Sequence, residues 1–319
     1  MSPFTPSKIL IFGGTGTIGK YITSAILANP AFRVTLFTSP NTLSAKSALL
    51  ASWEKKGLST IVGDISSPTD IAAAYKDVDT VISAVGRGAL QHQIQLLQLA
   101  EESDSVKWFF PSEYGTDIEH NAKSPNEKPH QLKLKVRSYV KGSIKRLKVT
   151  YVVTGPYFDM WVNTIPAPGL EIAGGYVPQE KKAYAVEGDG KIGFCTMVDV
   201  GRFVVAALKK PEESFDKALK VQSFIVTPNE VVAEYERQTG ERFEVVSTPL
   251  DEIRALEIRL WEEKHPGAVS VTLRRIWAEG GTLYAKNDNE IVGLRENDLD
   301  SLEVGVKKAL SGGYKNDTF

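Results

Sequence analysis

The sequence has little cysteine, little net charge and no long apolar run. Cys195 is the only cysteine in 319 residues, so no disulfide can form within the chain. It follows the apolar stretch 192–194, which predicts a buried side chain rather than a nucleophile. The net charge of −1 excludes a bulk attraction to nucleic acid or to anionic membranes. No apolar stretch approaches the roughly 18 residues that a membrane helix needs.

These absences predict where the protein works and with what. A chain with one cysteine suits a reducing compartment, and the short polar stretch 1–7 before the first apolar run has no signal-peptide character. We therefore expect a cytoplasmic protein that acts as a monomer or homodimer. Its expected partner is a small molecule, with no nucleic acid and no membrane.

Several common catalytic motifs are also missing. No tyrosine is followed by lysine at the fourth position, which removes the acid/base pair of standard short-chain dehydrogenases. There is no G-x-S-x-G for a hydrolase nucleophile. The four histidines show no H-E-x-x-H or other paired-ligand spacing, so no catalytic metal is expected.

A glycine-rich turn near the N-terminus is the strongest positive signal. The apolar run Ile9–Phe12 predicts a strand that is buried on both faces, and apolar residues at helical spacing follow the turn. Glycine lets a pyrophosphate approach the backbone, and the N-terminus of the following helix attracts its charge. The alternative is a tight turn that binds nothing. The pattern predicts a dinucleotide site formed by Gly13, Thr15, Gly16, Thr17, Ile18 and Gly19.

The end of the second predicted strand, 32–38, indicates which dinucleotide binds. NAD sites usually place a carboxylate there for the ribose 2′-hydroxyl, but no acidic residue occurs between Lys20 and Trp53. Hydroxyl, amide and ammonium groups that can hold the 2′-phosphate of NADPH are present instead, on Thr38, Ser39, Asn41 and Lys46. The same turn could merely cap the next helix.

Further predicted strands alternate with helices at 60–64, 80–86, 106–110 and 149–153. This alternation predicts a Rossmann-like, doubly wound parallel sheet, with a smaller C-terminal substrate-binding domain beyond it. We expect residues 1–156 to form the dinucleotide domain, with 194–226 packing back on it. Residues 157–193 and 227–319 would form the second domain. Asp199 is predicted to be the N-cap of a helix over 200–208.

The strand ends carry the remaining cofactor candidates. In a doubly wound sheet the C-terminal strand ends face the ligand, so Ala84, Val85 and Gly86 should border the cofactor. Asp64 ends the third strand, where it could accept from an adenine amino group or could simply be a turn residue.

A lysine-rich helix predicted over 131–147 offers a candidate acid or base. Lys133 lies nearest its predicted buried stripe, which begins at Leu132, and partial burial would lower the pKa of Lys133. A solvated basic face is the alternative. An aromatic cluster after the sixth strand could be core or could line a substrate cavity; its members include Tyr157, Phe158 and Trp161.

Taken together, the motifs resemble the isoflavone reductase-like proteins, within the NmrA-like group of atypical short-chain dehydrogenases. The resemblance covers about residues 8–312 and is carried by the glycine turn and by six further stretches: Gly63-Asp64, Val78–Gly86, Pro111-Ser112-Glu113-Tyr114-Gly115, Lys133-Leu134-Lys135-Val136-Arg137, Gly188-Asp189-Gly190 and Val198–Arg202. It implies an NADPH-dependent reductase of aromatic or phenolic molecules, with Lys133 as the catalytic lysine.

Together with the strand ends, this resemblance leads us to expect the following layout of the site. The nicotinamide would lie over Gly16, Ala84–Gly86 and Ser112, and the substrate ring would pack on Tyr114, Tyr157, Phe158 and Trp161. The family usually has arginine where Thr38 stands, phenylalanine where Tyr114 stands and, in many plant members, histidine where Arg274 stands. The alternative within the same group is a regulator that senses NAD(P) without turnover.

Overall fold

The computed structural model describes residues 4–163, 167, 169–187 and 190–312. Gly188 and Asp189, part of one family-like motif, lie outside the described residues, as does the tail from residue 313. The strands are β1 Lys8–Phe12, β2 Arg33–Thr38, β3 Ser59–Val62, β4 Thr80–Ser83, β5 Trp108–Phe110, β6 Lys148–Val153, β7 Gly175–Val177, β8 Lys182–Val186, β9 Ile192–Phe194, β10 Lys217–Lys220, β11 Phe224–Val226 and β12 Glu244–Thr248.

The α-helices follow the strands in the order that a doubly wound fold requires. They are α1 Gly19–Leu27, α2 Pro40–Ala45, α3 Ser47–Glu54, α4 Pro68–Ala74, α5 Gln93–Glu102, α6 Gln131–Ser143, α7 Phe158–Asn163, α8 Met197–Lys209, α9 Pro211–Ser214, α10 Pro228–Thr239, α11 Leu250–Glu262, α12 Ala268–Ala278 and α13 Leu302–Leu310. Short 3₁₀ turns connect several of them, among them Arg87–His92 and Lys128–His130.

Seven strands form one parallel sheet in the order β10-β6-β5-β4-β1-β2-β3. This confirms the predicted doubly wound sheet. The sequence analysis missed β10, an edge strand of only four residues in which two lysines flank Ala218 and Leu219. Two small sheets lie outside it: β9 with β11, and β7-β8-β12.

The two faces of the main sheet bury alternate residues of β1. Ile9 and Ile11 pack with α1 and α8 in one cluster, whereas Leu10 and Phe12 pack with α4, α5 and α6 in another. All four are at most 1% exposed, which explains the unbroken apolar run. Burial of each such side chain contributes about 1.5–3 kcal/mol.

The remaining helices and small sheets have apolar clusters of their own. One cluster joins α7, β9, α10 and α13, and another joins α11 and α12. The proposed boundaries between two domains stay a prediction. Among the described residues, no helix is both long enough and apolar enough to cross a membrane.

Two local predictions about helices are wrong. The predicted N-cap Asp199 lies one turn inside α8; Thr196 is the N-cap, and its hydroxyl accepts a hydrogen bond from the Asp199 backbone N–H. Helix α6 ends at Ser143 rather than at Leu147, because residues 145–147 turn away to donate backbone hydrogen bonds to the Glu101 carboxylate.

Candidate active site

The glycine turn lies at the C-terminal edge of the sheet, between the ends of β4 and β2. Gly13 adopts φ +71°, and a methyl group on it would lie 2.6 Å from the carbonyl oxygen of Ala84. A methyl group on Gly19 would overlap the carbonyl oxygen of Gly13. These two glycines are therefore required by the fold itself, since no other residue fits such close backbone contacts.

Gly16 is less crowded than Gly13 and Gly19, although it is not free of neighbours. It is exposed, and a methyl group there would meet only the Gly13 carbonyl oxygen at 3.2 Å and the Ala84 oxygen at 4.0 Å. Helix α1 begins three residues later, has no side-chain cap at its N-terminus and has no acidic residue in its first turn. The turn thus offers open backbone and an uncapped helix N-terminus, the features that hold a pyrophosphate.

The end of β2 continues this edge. Thr38 is buried, and its carbonyl oxygen accepts a hydrogen bond from Gly63, which places Asp64 beside it. Ser39 caps α2 by accepting from the Thr42 backbone N–H at 3.2 Å, while Asn41 and Lys46 are exposed. Ser39 therefore performs the capping role that the sequence left open, and it remains next to the two exposed polar side chains.

The Asp64 carboxylate has a local structural role. One of its oxygens accepts from the Ser66 backbone N–H at 2.8 Å, and this hydrogen bond is the main cause of a lowered pKa at Asp64. The residue is exposed, and its own backbone N–H donates to Asp70. The turn role is present in the structure, and the adenine contact stays a prediction.

The segment after β5 links the glycine turn to α6. The Ser112 hydroxyl donates to the carbonyl oxygen of Val85 at 2.8 Å, and the Ser112 backbone N–H donates to Gln93 at the start of α5. Ala84, Val85 and Ser112 are all less than 8% exposed, whereas Gly86 is exposed. The predicted cofactor residues on three different strand ends are therefore brought to one edge.

Lys133 extends from the first turn of α6 to this edge. Its ammonium group donates to the carbonyl oxygen of Glu113 and would lie 3.5 Å from a methyl group at Gly115. Burial lowers the pKa of Lys133; the nearby Glu113 carboxylate opposes this, while the charges of Arg87 and Arg137 add to it. A half-buried lysine with a lowered pKa is suited to proton transfer.

A buried ion pair that the sequence analysis did not identify fixes the same segment to α6. The Arg137 guanidinium donates to both carboxylate oxygens of Glu113, at 2.9 and 2.7 Å, and the two side chains are 9% and 3% exposed. Arg137 also pairs with the half-exposed Glu119. The sequence did contain a sign of this ion pair, because Glu113 and Arg137 lie in two of the motifs that resemble the family.

The predicted ring-binding residues are not all at the site. Phe158 is 0% exposed and packs on Phe194 and Phe224, so its side chain belongs to the core. Tyr114 is 5% exposed, and its hydroxyl is buried with no hydrogen-bond partner among the described residues. The Tyr157 hydroxyl donates to the Tyr114 carbonyl oxygen.

Trp161 lines a small cavity in the part of the molecule that follows the main sheet. The cavity also contacts α12, where Trp277 donates from its indole N–H to the Thr116 hydroxyl at 3.0 Å.

Cys195 is buried, as predicted, and burial raises the pKa of its thiol well above the ordinary value. The described residues contain no group of His, Cys, Asp and Glu side chains that could hold a metal ion.

Comparison with known proteins adds a family context to this geometry. A model of the NmrA-like family matches residues 5–269. Eugenol synthase 2 of Clarkia breweri is 31% identical over 261 residues, covering 77% of this chain and 79% of the relative. Phenylcoumaran benzylic ether reductase PT1 of Pinus taeda is 27% identical over 272 residues, covering 84% and 85%.

A solved structure supports the same architecture. Leucoanthocyanidin reductase from Vitis vinifera, in a binary complex with NADPH, superposes with a TM-score of 0.79. It is 21% identical and is matched over 96% of this chain and 100% of the other. This likeness concerns the fold.

Proposed function

The chain belongs to the NmrA-like family, as the resemblance of its motifs implied, and from this premise we propose that it is an NADPH-dependent reductase of small aromatic molecules. The observation that carries the proposal is the position of Lys133. Its ammonium group lies at the same sheet edge as the glycine turn, on a segment hydrogen-bonded to the end of β4.

The residues at the glycine turn fit the cofactor. The exposed backbone at Gly16 and the uncapped N-terminus of α1 would accommodate the pyrophosphate, and Ala84–Gly86 with Ser112 would border the nicotinamide. Ser39, Asn41 and Lys46 would receive the 2′-phosphate, which no carboxylate in residues 20–53 would repel. When bound, NADPH supplies the two-electron reducing equivalent. The leucoanthocyanidin reductase of similar fold binds NADPH.

Lys133 supplies the proton or stabilises negative charge on the substrate oxygen. The carbonyl oxygen of Glu113 holds its ammonium group, so one N–H bond is used and two remain to donate. Because Arg137 occupies both Glu113 carboxylate oxygens, that carboxylate is not the hydrogen-bond partner of the lysine. Lys133 is therefore free to interact with a carbonyl, enone or benzylic oxygen.

The substrate class follows from the relatives and from the aromatic lining. Relatives are named as a phenylcoumaran benzylic ether reductase and as a eugenol synthase, which supports a phenolic or other aromatic substrate. Of the predicted ring contacts, Tyr157 donates a hydrogen bond to the carbonyl oxygen of Tyr114, in the segment that Lys133 contacts, and Trp161 lines the small cavity. A regulator without turnover is less well supported, since these relatives carry the names of enzymes.

Substitution of Lys133 tests this proposal. Lys133→Ala should lower kcat for NADPH oxidation with an aromatic aldehyde or enone by about 10²–10⁴-fold, the range for loss of a positioned acid or base. Lys135→Ala is the matched control, because Lys135 is exposed on the same helix and should leave kcat unchanged. Cofactor fluorescence should show that both variants still bind NADPH.

The pH profile distinguishes a proton donor from a positioning residue. If protonated Lys133 acts, kcat of the natural chain falls as pH rises through a pKa below the ordinary lysine value of about 10.4. That decline should be absent in Lys133→Ala. Equal loss of activity in both lysine variants, or full activity in Lys133→Ala, would contradict the assigned role.

A further inference from the structure

Arg274 on α12 contacts the cavity that Trp161 lines, away from the glycine turn. The cavity is also lined by Gly174, Tyr184 and Ile192, and Trp277 lies one helical turn after Arg274. Its volume of about 20 Å³ admits a group of the size of one water molecule, such as a carboxylate oxygen, but no aromatic ring. Most of the lining is aromatic or aliphatic, so the guanidinium is its principal positive charge.

The surroundings of Arg274 contrast with those of the next residue. Arg275 pairs with Glu127 at 2.7 Å, with Glu279 at 2.9 Å and with Glu257. Arg274 has no ion pair among the described residues; its Nη1 donates to the Ala173 carbonyl oxygen at 3.5 Å. Burial lowers the pKa of Arg274 to about 10. A partly buried cation without an anion loses hydration that nothing replaces, and a bound anion would offset that cost.

The cavity adjoins the candidate active site through Trp277. The indole N–H of Trp277 donates to the Thr116 hydroxyl, and Thr116 follows Gly115, the glycine that Lys133 approaches. Trp277 thus contacts both the segment that Lys133 approaches and the cavity that Arg274 lines. Glu187 also lines the cavity, but it is exposed and forms no ion pair with Arg274 in the described residues.

We propose that Arg274 binds a carboxylate of the substrate, so that the preferred substrates are aromatic molecules that carry a carboxylate. The planar guanidinium fork matches a carboxylate, and the small cavity admits a carboxylate oxygen while the aromatic ring stays outside it. This inference rests on the proposed function, because it places the carboxylate on the same molecule that Lys133 protonates.

Binding measured without turnover tests the inference. The probes are 4-formylbenzoate and its methyl ester, titrated against the full chain with tryptophan fluorescence as the readout, since Trp161 and Trp277 line the cavity. The natural chain should bind the acid at least about tenfold more tightly than the ester, one charge-assisted hydrogen bond being worth that much. The preference should shrink in high salt.

Three variants complete the experiment. Arg274→Gln should remove the preference for the acid and leave the affinity for the ester unchanged. Arg274→Lys keeps the charge without the fork and should keep part of the preference. Arg259→Gln is the matched control, because Arg259 is exposed on α11 and its loss should change neither affinity. Thermal melting of each variant reports whether it folds.

The outcomes separate this inference from the proposed function. Equal affinity of the natural chain for acid and ester, or a preference that survives in Arg274→Gln, overturns the anion site even if both probes are reduced with NADPH. A preference for the acid that disappears in Arg274→Gln, without reduction of either probe, supports the anion site and overturns the reductase. If Arg274→Gln fails to fold, the salt dependence in the natural chain and the Arg274→Lys variant decide.

Discussion

Replacement of Arg137 by methionine should destabilise the protein strongly, because it would leave Glu113 buried without its partner. The Glu113 side chain is 3% exposed and accepts both of its strong hydrogen bonds from Arg137. Breaking a buried pair by removing one member costs about 3–5 kcal/mol. The contact of Arg137 with the half-exposed Glu119 adds at most about 1 kcal/mol. Arg137 also lies 3.9 Å from the buried Asp117, which keeps its ion pair with Lys220 when Arg137 is replaced. We expect Arg137→Met to lose about 3–5 kcal/mol of unfolding free energy at pH 7.

The double variant Glu113→Gln/Arg137→Met isolates the cause. It removes the buried charge as well as its partner, so it should be more stable than Arg137→Met by at least about 1.5 kcal/mol, the lower value for a hydrogen bond to a charged group. Urea unfolding followed by tryptophan fluorescence measures both, with an unchanged m-value as evidence that only stability differs. The reasoning fails if Arg137→Met lies within about 1 kcal/mol of the natural chain, or if the double variant is the less stable of the two.

Two further predictions concern the glycine turn and the buried tyrosine hydroxyl. Gly16→Ala should melt within a few degrees of the unmodified protein but bind NADPH at least about tenfold more weakly. Gly19→Ala should fail to fold, because its methyl group would overlap the Gly13 carbonyl oxygen. Melting curves and cofactor titrations check both expectations. Tyr114→Phe removes a buried hydroxyl without a described partner and should raise the unfolding free energy by about 1 kcal/mol. Tyr157→Phe loses a hydrogen bond and should lower the unfolding free energy by about 1 kcal/mol. Urea unfolding measures both, and a change of the same sign in the two variants would contradict this reasoning.

The sequence predicted the fold well because its signals are local. Apolar runs, glycine turns and alternating elements depend on neighbours in the chain, and they identified six strands of the main sheet. The edge strand β10 was missed since a four-residue segment with a lysine at each end is too short to show a period of two. Helix α6 was predicted to bury Leu132, which is 38% exposed in the structure.

The error on α6 shows why the site was harder to predict than the fold. Hydrophobic periodicity treats arginine as a solvent-facing residue, so Arg137 was not placed among the buried side chains, although it is 9% exposed. Its burial depends on Glu113, which is 24 residues away in sequence and supplies the compensating charge. Hydrophobic periodicity does not detect contacts between residues that are distant in the sequence. Both the position of Lys133 and the surroundings of Arg274 depend on such contacts.

The three glycines of the turn have different structural roles. Gly13 and Gly19 are required by contacts within the turn and with the end of β4, so a chain that binds nothing but kept this turn would keep both. Gly16 is exposed, and a methyl group there would make one tight contact, at 3.2 Å from the Gly13 carbonyl oxygen, without overlapping it. The evidence for a ligand in the pattern therefore comes mainly from one glycine of the three. A Gly16 variant that folds and still binds NADPH normally would show that the turn alone, without glycine at position 16, is enough for the cofactor.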